Sequence, residues 1–229
     1  HEVKNPLAIL GMGIDYMAKN LHVTDPNVAG ILTDMNDAVK RADTIIHGLL
    51  DFSMPHALNL HAEDLNHLLE QSLAMVRHDL SSSGQIRIVR ELSKDLPAAC
   101  LDRNKIKQVF VNLLLNAIHA MPEGGTLTIR TDARTLQAGE VDRDAGSRIP
   151  DQLRAGETVV VTEILDSGTG IDTEKMAKIF EPFFTTKPTG KGTGLGLTVT
   201  KKIVELHHGT IDIRNRPEGG AHVTLRFKI

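Results

Sequence analysis

The sequence has 229 residues, of which 41% are hydrophobic and 24% charged, and its 26 basic and 29 acidic residues give a formal net charge of −3. A chain of this length can bury a core of ordinary size in one domain or in two small ones. Because the charges are interspersed and the chain has one Tyr and no Trp to stack bases, nucleic acid is not an expected partner.

Cysteine content and hydropathy indicate the environment of the chain. Its single cysteine, Cys100, excludes an internal disulfide and a cysteine-based zinc site, so we expect a reducing, cytoplasmic location. No apolar run approaches the ~20 residues that span a bilayer, and no signal peptide is recognisable. We therefore expect no membrane contact by this segment, and we place any membrane anchor of the parent protein outside it.

Residues 1–56 carry a heptad pattern that predicts two helices joined by the turn "HVTDPN". The apolar seam comprises Val3, Leu7, Leu10, Ile14, Met17 and Leu21 before the turn and Val28, Ile31, Met35, Ala38, Ala42, Ile45 and Leu49 after it. A helical hairpin has too little core to be stable alone, so we expect two copies to pair as a four-helix bundle. His1 lies off the seam and should face solvent.

Residues 57–229 contain both strand and helix patterns, which predict an α+β sandwich with one mixed sheet covered by helices. Predicted strands lie near 57–62 and in "QIRIVREL", "TLTIRTD", "TVVVTEILD", "TIDIRN" and "HVTLRFKI". Predicted helices run from Asp64 to about Leu80, from Arg103 to Met121 and over 195–207. The polar, glycine-rich residues 135–157 are interpreted as a long hairpin loop.

Two polar clusters accompany predicted elements, one on a helix and one directly after a strand. In "NLLLNAIHA", Asn112, Asn116 and His119 form one stripe beside an apolar helix face, and amide oxygens in line can hold Mg²⁺ together with phosphate oxygens. In "DSGTGI", Asp166 follows an apolar strand and could accept a hydrogen bond from an exocyclic amine such as that of adenine. Taken alone, the first fits a solvated stripe equally well, and the second is more typical of a strand-end turn.

Two further clusters, "FEPFFTTK" (180–187) and "GKGTGLGL" (190–197), precede the last predicted helix. The glycines would present backbone N–H groups at the N-terminus of that helix, which favours phosphate binding. A glycine-rich string is weak evidence by itself. It fits neither the dinucleotide fingerprint, because no strand precedes it, nor the P-loop, because no Gly-Lys-Ser/Thr follows.

Together with "HEVKNPL" at residues 1–7, these clusters resemble the H, N, G1, F and G2 boxes of bacterial sensor histidine kinases, in the family's order and over nearly the whole chain. The resemblance implies a dimeric, helical-hairpin phosphoacceptor domain at 1–56 and a Bergerat-type (GHKL) ATP-binding domain at 57–229. Members of the family carry more of the first helix before the H box. The sequence is therefore interpreted as N-terminally truncated.

The resemblance also assigns roles to the residues at the beginning of the chain. His1 matches the nucleophile that accepts the γ-phosphoryl group, and Glu2 matches the group that hydrogen-bonds the imidazole and takes up its proton. Asn5 matches a polar residue that holds a water for dephosphorylation of the partner regulator. By itself the terminal His-Glu pair also fits a frayed helix end, whereas a metalloprotease is excluded because Asn5 replaces the second His of H-E-x-x-H.

The remaining matches imply a binding site for ATP and Mg²⁺. Asn116 corresponds to the Mg²⁺ ligand, Asn112 and His119 to phosphate or metal-shell contacts, and Asp166 to the adenine-reading carboxylate, with Gly168 and Gly170 shaping the pocket. The residues that fall where a lid closes on the phosphates are Lys187, Gly192, Thr193, Gly194, Leu195 and Gly196. Phe180, Phe183 and Phe184 are either lid anchors or plain core residues.

These roles predict ATP-dependent autophosphorylation on histidine, relay to an aspartate of a response-regulator receiver domain, and phosphatase activity toward that regulator. Hydrolysing relatives of the gyrase class place a Glu where this chain has Asn112, and an amide cannot activate water at neutral pH. The alternative is a nucleotide-binding dimerisation module without transfer activity.

Overall fold

The structure, a computed structural model, describes residues 4–20, 26–53, 58–82, 85–137, 153–187 and 192–229. The chain divides into two compact units, one comprising 1–55 with 181–198 and the other 56–180 with 199–229. The domain boundaries inferred from the sequence, 1–56 and 57–229, remain a prediction. Within the described ranges, no helix is both long and apolar enough to cross a membrane.

The N-terminal elements are two helices, α1 (Lys4–Asn20) and α2 (Pro26–Ser53), as the heptad pattern predicts. Ile14 of α1 and Leu32 of α2 are buried, whereas Leu10 and Ile31 of the predicted seam are exposed by 55% and 57%. Other apolar side chains exposed on these helices are Ile9, Met12, Tyr16, Val28 and Met35. The hairpin of one chain therefore leaves much apolar surface exposed to water.

The second unit is built on a five-stranded mixed sheet whose strand order is β2-β4-β5-β7-β6. Its strands are β2 (Ile86–Leu92), β4 (Gly125–Thr135), β5 (Thr158–Leu165), β6 (Thr210–Asn215) and β7 (Ala221–Lys228). The β2–β4 pair is parallel and the other pairs are antiparallel. Two short strands, β1 (His61–Glu63) and β3 (Ala99–Leu101), pair separately.

The helices of this unit are α3 (Leu65–Met75), α4 (Arg77–Ser82), α5 (Arg103–His119) and α6 (Gly196–Leu206), and a 3₁₀ turn covers Met176–Lys178. Asp64 and Asp102 cap α3 and α5, since each side chain accepts two backbone N–H groups of the first turn. The predicted fold class, a helical hairpin followed by an α+β sandwich, is confirmed.

Three details of the predicted elements are wrong. The helix expected from Asp64 to Leu80 is interrupted at Val76, where the backbone forms a turn between α3 and α4 (φ −93°, ψ 11°). The strand expected near 57–62 is β1, of which only His61 and Ala62 fall in that range, and residue 57 lies outside the described residues. The short strand β3 and the 3₁₀ turn were not predicted.

The core lies between the sheet and α3 and α5. Leu127 and Ile129 of β4 and Leu225 and Phe227 of β7 are almost fully buried, and so is the predicted apolar face of α5, which comprises Val109, Phe110, Leu113 and Ala117. Thr131 of the same β4 face donates a hydrogen bond of 2.8 Å to Asn66 of α3. Each buried Leu or Phe contributes about 1.5–3 kcal/mol, more than a surface ion pair does.

Two hydrogen bonds join α5 and its N-cap to α6 and the residue that follows it. The backbone N–H of Asp102, the N-cap of α5, donates to Nε2 of buried His207 over 2.9 Å, and Nδ1 of His207 lies 2.8 Å from the Ile203 carbonyl. Nε2 accepts, so Nδ1 carries the proton and the ring is neutral. Burial lowers the pKa of His207, in keeping with this tautomer. Further along α5, the Asn112 amide donates to the Thr200 hydroxyl over 3.5 Å.

Candidate functional site

The polar stripe of α5 lies beside its buried face, as the sequence predicts. Asn112 and Asn116 are half-buried, and His119 in the last turn is exposed. The two asparagines are four residues apart, so their side chains lie on one face a turn apart. No group of three or more His, Cys, Asp or Glu residues that could hold a metal ion is found among the described residues. The amide oxygens of Asn112 and Asn116 are hard ligands of the kind that Mg²⁺ accepts.

The loop "DSGTGI" (166–171) contacts the C-terminal end of α5. The Thr169 N–H donates to the Ala120 carbonyl over 3.3 Å, and Ala120 itself donates to the Asn116 carbonyl over 3.1 Å. A Cβ on Gly168 would lie 2.5 Å from the Ala120 carbonyl oxygen, so only glycine permits this approach. The structure thus brings the loop to within one helical turn of Asn116.

Asp166 is a buried carboxylate at the end of β5, with 5% of its surface exposed. Its Oδ1 accepts hydrogen bonds from the Gly168 N–H (2.9 Å) and the Ala221 N–H (3.1 Å). Within the described ranges, both side-chain hydrogen bonds of Asp166 are made by Oδ1, which leaves Oδ2 to accept from a ligand. Burial raises the pKa of Asp166, while these amides and the Arg216 guanidinium oppose the rise.

In the other unit, the segments 181–187 and 192–196 contact each other. Gly192 lies beside the side chains of Thr185 and Lys187. Gly194 has φ +67°, and a Cβ there would lie 2.3 Å from the Phe183 carbonyl carbon. The structure therefore brings the F-box and G2-box residues together, although residues 188–191 lie outside the described part of the chain.

Phe183 and Lys187 have unusual environments within this segment. Phe183 is 57% exposed and has φ 66°, a left-handed conformation that costs a non-glycine residue about 1–2 kcal/mol. Burial lowers the pKa of the Lys187 amine. Strained backbone and a desolvated amine are typical of functional segments rather than of plain connections.

The other predicted site residues have mixed outcomes. His1 and Glu2 lie outside the described residues, whereas Asn5 is exposed on α1. Leu195 is 2% exposed, so its side chain is part of the packing. Gly170 lies beside Asn215, a residue that the sequence did not single out. The only sequence signal for that neighbour is the turn-forming stretch "NRPEGG" after β6.

The buried carboxylate, the amide stripe and the intervening glycine loop together define a class of protein. The model of the histidine kinase-, DNA gyrase B- and HSP90-like ATPase family matches residues 101–229. This chain belongs to that family.

Relatives and solved structures narrow the resemblance to sensor histidine kinases. The chain is 31% identical to the sensor histidine kinase ZraS of Klebsiella oxytoca, over all of this chain and 44% of ZraS. The histidine kinase ThkA, solved in complex with the response regulator protein TrrA, is 28% identical with a TM-score of 0.67, covering 100% of this chain and 59% of that one. Full-length ShkA, solved with AMPPNP, is 22% identical with a TM-score of 0.73, covering 99% of this chain and 44% of that one, and it supports the fold alone.

The chain spans less than half the length of the curated relatives that it matches.

Proposed function

We propose that this chain is the kinase portion of a cytoplasmic sensor histidine kinase, which binds ATP with Mg²⁺ and transfers the γ-phosphoryl group to His1 and then to an aspartate of a response-regulator receiver domain. The observation that carries the proposal is Asp166. A buried carboxylate with one oxygen left to accept a hydrogen bond, next to the end of the amide helix, suits a ligand with an amine on its base and phosphates beyond it.

The roles of the site residues follow from their chemistry. The Asp166 carboxylate accepts from the adenine amine, and the Gly168 backbone leaves room for the base. The donor set also fits a magnesium ion, because the side-chain amide oxygens of Asn112 and Asn116 are hard ligands on one helix face. Mg²⁺ bound there would neutralise charge on the phosphate oxygens. Asn116 is the proposed direct ligand, and Asn112 and His119 contact phosphate or the metal shell.

The glycine-rich segment supplies donors for phosphate. Backbone N–H groups of residues 192–196, which precede and begin α6, suit phosphate oxygens, and so does the amine of Lys187. The residues proposed to act this way are Lys187, Gly192, Thr193, Gly194, Leu195 and Gly196, with Leu195 acting through its backbone. Catalysis then consists mainly of positioning and charge neutralisation.

The acceptor of the phosphoryl group is proposed to be a side chain rather than water. Asn112 is neutral at all ordinary pH values and donates to Thr200, so it cannot serve as the base that activates water. His1 is the proposed nucleophile because neutral imidazole is nucleophilic near pH 7, and Glu2 takes up its proton.

We propose that the chain acts as a homodimer. The apolar side chains exposed on α1 and α2 of a single chain, such as Ile9, Met12 and Ile31, support this proposal, because pairing of two hairpins would bury them. The domain division at about residue 56, with the phosphoacceptor hairpin before it and the ATP-binding domain after it, belongs to the same proposal.

Incubation of the full-length protein with γ-labelled ATP and Mg²⁺ tests the proposed function. We expect label that is lost in acid and retained in base, because phosphohistidine has this lability. Nucleotide binding without any label would favour the alternative, a dimerising and nucleotide-binding module. Release of free phosphate without labelled protein would favour the hydrolysing class instead.

Asn5 provides a test of the proposed phosphatase activity. It is exposed on α1 and lies one helical turn after His1 in the sequence, so a receiver aspartate docked at His1 would lie near its amide. That amide can hold a water in line with an aspartyl phosphate. Asn5→Ala should therefore preserve autophosphorylation and slow the decay of the phosphorylated regulator to its intrinsic rate.

The decay of the labelled regulator is measured with the Asn5→Ala protein and with a control, Asn20→Ala. Asn20 is an exposed asparagine at the other end of α1, where its amide donates to the Tyr16 carbonyl over 3.0 Å. Decay in Asn5→Ala that matches decay in the Asn20→Ala control rejects the phosphatase role.

A further inference from the structure

The turn between β6 and β7 contacts both ends of the loop that contains Asp166. We call residues 215–221 the β6–β7 turn. It is closed by backbone hydrogen bonds from Arg216 to Gly220 (2.9 Å) and from Gly219 to Arg216 (3.1 Å). Nothing in the sequence pattern assigns a function to this turn, yet its residues contact the first and the last members of the loop 166–171.

Asn215 holds the end of the loop through both atoms of its side-chain amide. Its Oδ1 accepts from the Ile171 N–H over 2.8 Å, and its Nδ2 donates to the Ile171 carbonyl over 2.5 Å. One side chain thus pairs with both backbone groups of Ile171, as a neighbouring strand would. Neither a shorter side chain nor an aspartate can make both hydrogen bonds.

Arg216 and its neighbours hold the beginning of the loop. Nη1 of Arg216 donates to the Asp166 carbonyl over 2.7 Å. Ala221 exchanges hydrogen bonds with Asp166, because the Asp166 N–H donates to the Ala221 carbonyl and the Ala221 N–H donates to Oδ1. A Cβ on Gly220 would lie 2.1 Å from the Asp166 carbonyl oxygen, so the approach requires glycine.

We propose that Asn215 and Arg216 are positioning residues that set the preference of the site for adenine: they hold the last and the first residue of the loop 166–171 and thereby fix the position of the Asp166 carboxylate. This inference rests on the proposed function, in which Asp166 accepts from the adenine amine. Neither residue needs to touch the nucleotide. Both act through Asp166 and its loop.

Arg216 also places a positive charge beside Asp166, because its Nη1 lies 2.7 Å from the Asp166 carbonyl oxygen. Burial raises the pKa of Asp166, and among the described residues Arg216 is the charged group whose field opposes the rise. Glu218 on the same turn lies 3.8 Å from Arg216 and is 71% exposed, so it screens the guanidinium only partly. Two titratable groups lie on neighbouring elements. His222 on β7 is within hydrogen-bond distance of Glu163 (3.1 Å), and His119 in the last turn of α5 is exposed.

The proposal predicts a change in the pH dependence of ATP binding. Removing the guanidinium lets the pKa of Asp166 rise further, and a carboxyl whose pKa is raised loses its ionised form at a higher pH. When the pH is lowered, the Arg216→Gln protein should therefore lose ATP affinity at a higher pH than the parent does. Preference for ATP over ITP, which has a carbonyl in place of the adenine amine, should fall about ten-fold. In Asn215→Ala, the preference should fall without the pH displacement.

The experiment is calorimetric titration of the full-length protein with ATP and with ITP between pH 5 and pH 8. The control is Arg214→Gln, which removes an arginine of β6 two residues before Arg216. The Arg214 side chain is 76% exposed and paired with Asp212. Thermal melting of each variant checks folding, and Arg216→Lys, which retains the charge, should keep the parent pH profile even if it lowers affinity.

The outcomes separate this inference from the proposed function. If Asp166→Asn leaves the preference for ATP and its acid dependence unchanged, Asp166 does not read adenine and the proposed function fails. If Asp166→Asn abolishes both and Arg216→Gln behaves like the Arg214→Gln control, the proposed function stands and the role of Arg216 is rejected. A uniform loss of ATP and ITP affinity with an unchanged pH profile would make Arg216 a structural residue and overturn the proposal.

Discussion

Replacement of His1 by Gln in the full-length protein is expected to abolish the incorporation of base-stable label from γ-labelled ATP. Glutamine is polar and similar in length, but its amide is not nucleophilic and cannot carry the phosphoryl group. We expect all label in the parent to map to His1, although the chain contains 11 histidines. Mass mapping of labelled peptides from the parent locates the phosphate.

One other histidine, His207, lies in an environment that does not suit a nucleophile, and three further histidines have ring partners of their own. His207 is buried, and both of its ring nitrogens lie within hydrogen-bond distance of backbone groups. The rings of His61, His67 and His222 lie within hydrogen-bond distance of Asn59, Gln71 and Glu163, respectively. A suitable control is His67→Gln, which should be labelled as the parent is. Base-stable label in His1→Gln at the parent level would show that another residue accepts the phosphate.

Replacement of Asn116 by Ala is expected to reduce Mg²⁺-dependent phosphoryl transfer far more than nucleotide binding. Loss of the amide oxygen removes the proposed metal ligand, and the charge that develops on the phosphate oxygens is then poorly neutralised. Removal of one such stabilising group typically lowers the rate on the order of 10² to 10³-fold. Transfer is measured by label incorporation, and binding by calorimetry with and without Mg²⁺.

The matched control for this variant is Asn104→Ala, because Asn104 is an exposed asparagine in the first turn of the same helix, α5. It should keep both transfer and binding. Equal losses of transfer and of binding in Asn116→Ala, accompanied by a lowered melting temperature, would indicate structural damage and would argue against a metal ligand at this position.

Most of the fold could be predicted because its elements are periodic. The alternation in β4 and the stripe of Val109, Phe110, Leu113 and Ala117 in α5 depend on burial of one face, which a local pattern records directly. The break in the helix at Val76 could not be predicted in this way. The apolar spacing of α3 includes Val76, whose side chain is buried although the helix has ended. The three-residue strand β3 is too short to show alternation.

The site could be predicted only in part, for a related reason. Asp166 and Asn116 lie in short motifs that a reader of the sequence can recognise. Besides the local Gly168 N–H, the groups that hold Asp166 are Arg216, which donates to its carbonyl, and Ala221, which donates to its carboxylate. Both lie about fifty residues further along the chain, and the position of Ala221 depends on the pairing of β5 with β7. No local spacing encodes such a contact. Tertiary pairing therefore supplied the residues that sequence reasoning missed.

The pair of hydrogen bonds between α5 and α6 has a thermodynamic consequence. The bond between Asp102 and His207 forms only while the imidazole is neutral, and its pKa in the folded protein lies below the ordinary value of about 6.5. As the pH falls below the ordinary pKa, the His207 imidazole gains a proton in the unfolded chain but not yet in the folded chain. The folded state therefore loses this stabilisation in acid and keeps it above neutrality. The hydrogen bond that joins the start of α5 to the end of α6 therefore depends on the charge of a single imidazole.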